Sequence, residues 1–183
     1  ILIGHTHWDH IQGFPFFAPA FVPSTRLTLY GPSEEGLTLA QALERQMEQP
    51  TFPVPLAAMG ASKDFRPVSS GDVLQLGDVT IRARALSHPQ GSLGYRIEHA
   101  GRAFCFATDT EHPDDGTVDE ALLDLADRAD LLVLDAQYTP DEYEGRSGPP
   151  RKGWGHNTWV AATEAAGACR VHRLGLFHHD PAH

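Results

Sequence analysis

The chain has 183 residues, 41% of them hydrophobic and 21% charged, and carries a formal net charge of −10 at pH 7. Its length suits one domain with a real core, whereas the acidic balance works against long nucleic acid, whose backbone calls for a basic face. No apolar run approaches a membrane span and the start does not read as a signal, so a cytoplasmic setting is expected.

The first apolar run, residues 1–4, reads as a strand and leads directly into His5-Thr6-His7-Trp8-Asp9-His10. In an extended or tightly turning segment, residues two apart point the same way, so His5 and His7 can converge on one ion while Asp9 and His10 swing toward a second. Imidazole suits zinc and its transition-series neighbours, and a carboxylate can join as a hard oxygen ligand. The spacing differs from that of HExxH, where two histidines stand one helical turn apart.

Phe14-Pro15-Phe16-Phe17 reads as core packing rather than a substrate wall. Residues 26–30 form a second short strand, stopped by Gly31-Pro32. The apolar spacing of residues 34–49 predicts a helix ended by Pro50, and Pro53 and Pro55 stiffen the loop that follows. Residues 79–86, 93–98 and 103–107 read as strands, the last two joined by a hairpin at Ala100-Gly101. A helix over 119–128 and a buried strand over 131–134 come next. A Gly/Pro-rich loop, residues 145–155, then leads to a helix over 158–166 and a last strand over 173–177. Cys105 lies in an apolar stretch and reads as a buried core thiol; with Cys169 far away and no CxxC, no disulfide framework is expected. The alternation predicts α/β layering, and candidate ligands recur where strands stop: His5, His88, Asp109 and His178.

Together these residues resemble the metallo-β-lactamase superfamily, whose HxHxDH signature stands at His5–His10. The similarity is to the branch containing the tRNA 3′-processing ribonuclease and small phosphodiesterases. It also rests on Tyr30-Gly31-Pro32, Ser87-His88, Gly94-Tyr95, Thr108-Asp109-Thr110, Gly155-His156-Asn157-Thr158 and Leu176-Phe177-His178. The resemblance implies a four-layer αββα fold in a single domain over 1–183. Both chain ends read as cut, so the strands that precede the signature in relatives are expected to be missing.

By the same resemblance, two divalent ions are expected, zinc first with manganese or iron as alternatives. His5, His7 and His88 hold one, Asp9, His10 and His178 the other, and Asp109 bridges both. His178 and His179 compete for one role, and the family position selects His178. The catalytic set is Asp9, His156 and Asp135. His156 suits proton donation or phosphate contact, with a plain helix-start histidine as the alternative. Asp135 either orients His156 or is a strand-end carboxylate satisfied by backbone N–H groups. His99, His112, His172 and His183 are left out of the site.

The function implied is hydrolysis of small or cyclic phosphodiesters by a metal-bound hydroxide. The tRNA ribonuclease usually carries an RNA-grasping arm between the Gly-Tyr strand and the bridging aspartate; here only a hairpin separates Tyr95 from Asp109. Alternatives are a thioester or lactone hydrolase and a metal-stabilised regulatory module. A β-lactamase with a cysteine ligand places it where Asp109 stands, and the flavodiiron branch has Glu in place of His7. Expected partners are a small anionic substrate and, as an assembly the sequence allows, a second copy of the chain.

Overall fold

The computed structural model describes residues 1–33 and 36–182, arranged as two compact units, Ile1–Ser69 and Ser70–His183. Among the described residues no helix is long and apolar enough to cross a membrane. The two glutamates at the start of the helix expected over 34–49, and His183, lie outside the described residues.

In the first unit, Leu2 makes a single parallel bridge to Tyr30 instead of a full strand. A short helix, α1 (Trp8–Ile11), follows, so the signature is extended only as far as His7. Strand β1 (Arg26–Gly31) pairs in parallel with β2 (Ser62–Pro67), which the sequence reading did not predict. The reason is visible in its residues: Ser62-Lys63-Asp64-Phe65-Arg66-Pro67 is mostly polar, buries none of them fully, and lacks an apolar face to alternate. Helix α2 (Leu39–Gln46) starts at a capping box in which Thr38 accepts from the Gln41 amide and the Gln41 side chain accepts from Thr38. It stops before the predicted Pro50. Leu39, Leu43, Met47, Leu29, Phe14, Ile11 and Met59 form the core. Of the aromatic run, Phe14 and Phe17 pack inward as expected, whereas Phe16 is exposed and meets Phe52 edge-on.

The second unit is one six-stranded sheet in the order β3 (Val73–Leu76), β4 (Val79–Leu86), β5 (Ser92–His99), β6 (Arg102–Ala107), β7 (Leu131–Asp135) and β8 (Leu174–Phe177). Strands β3 to β6 are antiparallel neighbours, and β6, β7 and β8 are parallel. Edge strand β3 went unpredicted; it is short, with Val73 exposed. The β5–β6 turn is the predicted one, Ala100 and Gly101 both taking the positive φ that a two-residue hairpin turn requires.

Parallel neighbours need long crossovers. Helix α3 (Glu120–Ala126), capped by Asp119, links β6 to β7. A one-turn helix, α4 (Pro140–Tyr143), and then α5 (Trp159–Ala168) link β7 to β8. Leu122, Leu125 and Ala126 of α3 and Ala162, Ala165 and Ala166 of α5 share one core with Cys105, Ala107, Leu132 and Leu134 of the sheet. Leu125 comes so close to β5 that a Cβ at Gly94 would stand 2.7 Å from it, which explains the glycine.

Strand direction places the site. Counting through the pairings, β4, β6, β7 and β8 all run the same way, so their C-terminal ends share one rim. The segments carrying His88, Asp109 and His178 leave from that rim, and Asp135 is the last residue of β7 on it.

Both cysteines are free and buried, and burial pushes the Cys105 thiol up to about 12 and Cys169 to about 11. A thiol is reactive only as thiolate. Neither cysteine should react with a chromogenic disulfide reagent in native protein at pH 8, and both should react once the chain is unfolded in guanidinium; titration of a native thiol would contradict this core.

Candidate metal centre

The first unit holds a tight imidazole cluster. The His5 ring lies 4.5 Å from that of His7 and 4.3 Å from that of His10, centre to centre. His7 caps α1, which makes Asp9 and His10 part of a helical turn; their side chains approach to 3.3 Å. His5 is buried, while Asp9 and the neighbouring Trp8 are exposed.

The second unit holds a separate group of candidate ligands along its rim. One carboxylate oxygen of Asp109, Oδ2, stands 3.8 Å from His88 Nε2 and 3.7 Å from His178 Nε2. Both gaps are too long for hydrogen bonds but match ligand atoms that share an ion at about 2.0–2.2 Å each. Donor atoms of Asp109, His156 and His178 also lie within 4.8 Å of one another, so His156 stands within reach of the ligand set, not only beside it. Its ring stacks on His178 at 4.9 Å. His179, the competing candidate, is exposed. A donor set of imidazoles and one carboxylate, gathered this closely, fits a zinc-type ion.

Backbone geometry at two of these residues is costly. Asp109 has φ 58° and His178 φ 63°, the left-handed region that non-glycine residues avoid. Such conformations cost about 1–3 kcal/mol each and persist where the surroundings enforce them. At Asp109 the Asp135 carboxylate, fully buried at the end of β7, holds the backbone amide. Its Oδ2 accepts from the Asp109 amide at 3.1 Å and lies 2.7 Å from His156 Nδ1. Oδ1 accepts from the amides of Asn157 at 2.9 Å and Gln137 at 3.2 Å. The two alternatives left open by the sequence, orienting His156 or satisfying backbone N–H groups, are therefore both present in one side chain. Because a carboxylate only accepts, His156 carries its proton on Nδ1 and keeps Nε2 for other partners.

Two further residues shape the site and escaped the sequence reading. Glu111 accepts from the amides of Gly153 at 2.7 Å and Gly155 at 2.8 Å, and from the Tyr143 hydroxyl at 2.6 Å. Burial, reinforced by this bond to Glu111, pushes the Tyr143 phenol well above its usual range. Gly155 in turn receives His88: the His88 Nδ1 lies 2.9 Å from the Gly155 carbonyl oxygen, which fixes the tautomer that leaves Nε2 for a metal. A Cβ at Gly155 would collide with Pro89 and the His88 ring, and its φ is +87°. His112, left out of the site by the sequence, engages the Asn157 side chain at 3.0 Å. His99 lies on the surface beside Asp78 at 2.8 Å, and His172 is exposed. No pattern short of the folded loop would have found Glu111, because its partners are backbone amides 42 and 44 residues away.

Removing the Asp135 carboxylate leaves three backbone amides and an imidazole without it, at about 1–3 kcal/mol for each buried donor. Asp135→Ala should lower stability by about 3 kcal/mol or more, read as a fall in the urea midpoint at unchanged slope; a change under about 1 kcal/mol would remove Asp135 as the organiser of this rim.

Comparison with known proteins places these observations in a family. A model described as a β-lactamase superfamily domain matches residues 1–179. A ribonuclease Z of Exiguobacterium is 26% identical over 97% of this chain and 70% of its own length. A ribonuclease Z of Limosilactobacillus fermentum is 31% identical over 55% of this chain, but over only 31% of its own length, so the chain matches less than a third of that relative. The solved structure of human tRNase Z, short form, superposes with a TM-score of 0.70 at 22% identity, covering 100% of this chain and 73% of the human one. With the family model covering nearly its whole length, the chain belongs to the β-lactamase superfamily and has the α/β metallo-β-lactamase fold.

Proposed function

We propose that the protein is a dinuclear metal-dependent hydrolase acting on small or cyclic phosphodiesters, with its two units working as one hydrolase domain. The observation that carries this is Asp109 Oδ2, one oxygen set between the His88 and His178 imidazoles at ligand distances, with His156 alongside. In this reading His5, His7 and His88 hold one ion, Asp9, His10 and His178 the second, and Asp109 both. Zinc is the proposed ion, with manganese or iron as the alternatives to assay. Bound there, two dications neutralise phosphate charge and lower the pKa of water to about 7.

The protein's own groups supply the rest. Hydrolysis of a phosphodiester forms a bond from a water oxygen to phosphorus and breaks the bond from phosphorus to the leaving oxygen. That oxygen needs a proton. His156, held through Nδ1 by Asp135, offers Nε2–H as the donor in its imidazolium form. The fixed ring keeps the proton at one place, while the Asp135 carboxylate stabilises the positive charge the ring carries before transfer. The product pair is a phosphomonoester and an alcohol.

A second reading has a specific observation behind it: the relatives named ribonuclease Z act in name on RNA. Against long RNA stand the net charge of −10 and the two-residue β5–β6 turn, which puts nothing between those strands to grasp a folded nucleic acid.

Metal analysis of dialysed protein should give about two equivalents per chain, and that protein should hydrolyse bis(p-nitrophenyl) phosphate with zinc or manganese. Turnover of lactoyl thioesters with none on phosphodiesters would replace the proposal, and preference for precursor tRNA would favour the RNA reading. His156→Ala should lower kcat by about 10²–10⁴-fold at unchanged metal content; loss of an equivalent of metal would make it a ligand instead. Asp109→Ala should lose metal, and tight retention of both ions would rule out the shared carboxylate.

A further inference from the structure

The loop before His156 holds a tryptophan in an unusual way. Trp154 is 52% exposed, yet the residues on both sides of it are fixed: the amides of Gly153 and Gly155 both donate to the one carboxylate of Glu111. The Trp154 amide itself closes onto the Arg151 carbonyl at 3.1 Å, and the Arg151 amide onto that of Tyr143 at 3.0 Å. Trp8 and Trp159 are exposed as well; what sets Trp154 apart is the hydrogen-bonded backbone on both sides of it. Its ring is held rigid and half in water.

Next to it is a cation. The Arg151 guanidinium lies over the Trp154 ring at 4.5 Å from its centre and over the Tyr138 ring at 5.8 Å. Tyr138 meets the His156 ring edge-on at 6.0 Å, so the sequence of contacts runs without a gap from His156 through Tyr138 and Arg151 to Trp154. Burial pushes the Tyr138 phenol up to about 12, with Arg151 pulling the other way, so this ring stays a neutral face at working pH. Arg151 makes no ion pair among the described residues, whereas its loop neighbours Arg146 and Lys152 are matched with Asp141 and Asp114. A guanidinium stacked on a ring still has in-plane N–H groups to offer an anion.

We propose that Trp154 and Arg151 form a substrate subsite that takes the aromatic group of an aromatic phosphodiester, either an aryl ring on the ester oxygen or a nucleobase that a ribose joins to that oxygen. Trp154 stacks on that group with the face that Arg151 does not cover, and Arg151 contacts a phosphate oxygen. Stacking of a base on an aromatic side chain tolerates any planar ring, and a platform held in place before binding loses little freedom when the ligand arrives. The Glu111 clamp is what provides that rigidity. The substrate class rests on the phosphodiesterase reading; the subsite itself rests on the loop.

The test is calorimetric binding to the metal-loaded protein of three probes that share a phosphate: adenosine 5′-monophosphate, phenyl phosphate and methyl phosphate. The aromatic probes should bind about tenfold more tightly than methyl phosphate. Trp154→Ala should bring that ratio close to one, and Trp154→Phe should keep most of it. Arg151→Gln should weaken all three probes by a similar factor. A preference for the adenosine probe over phenyl phosphate identifies a nucleoside ligand, and equal affinity identifies any aryl ester. If methyl phosphate binds as well as the aromatic probes, or Trp154→Ala keeps the preference, the subsite is wrong. Aromatic preference without turnover of bis(p-nitrophenyl) phosphate would defeat the hydrolase reading and leave the subsite standing; turnover without the preference would do the reverse.

Discussion

The second unit is organised around one buried carboxylate. Asp135 closes β7 and, from there, binds the amide of Asp109 beyond β6, the amides of Asn157 and Gln137, and the ring of His156. Burying a charge this deeply is costly unless every lone pair is used, and four donors use them. The consequence reaches the chemistry directly. The Asp109 amide meets Asp135 from a left-handed backbone, and its side chain stands beside His88 and His178.

A second carboxylate repeats the device one layer out. Glu111, two residues past Asp109, grips the loop at Gly153 and Gly155, and Gly155 in turn holds His88 through its carbonyl oxygen. Asp109, His88 and His156 leave the sheet at separate points, yet each is fixed by an acidic residue or by a backbone group that such a residue fixes. The excess of acidic residues in the chain is thus partly spent inside the fold, on backbone amides.

Sharing the family fold leaves the substrate undetermined, since one fold hosts many activities. The surroundings of the candidate site are therefore informative. Here they are a bare two-residue hairpin between β5 and β6 and a stiff loop carrying Arg151 and Trp154.

Much of the chain was legible in its sequence. Strands β4 to β8, helices α3 and α5 and the hairpin turn were predicted from apolar alternation, caps and glycine, because their side chains face a core directly and the period must match. Strands β2 and β3 were not legible: β2 is mostly polar and buries no residue fully, and β3 has four residues of which only Leu74 is half-buried, so neither shows an apolar alternation. The helical turn at Trp8–Ile11 was hidden for a different reason, since four residues are too few to show a period. The histidines and Asp109 could be singled out as candidates because metal-ligand chemistry is confined to few residue types. What only the tertiary structure decided was how they are held: that Asp135 serves His156 and three amides at once, that Glu111 clamps a loop more than 40 residues away, and that Arg151 lies on Trp154. Those are contacts of carboxylates with backbone amides and of a cation with a ring face, and neither leaves a spacing or a residue type from which it could be read.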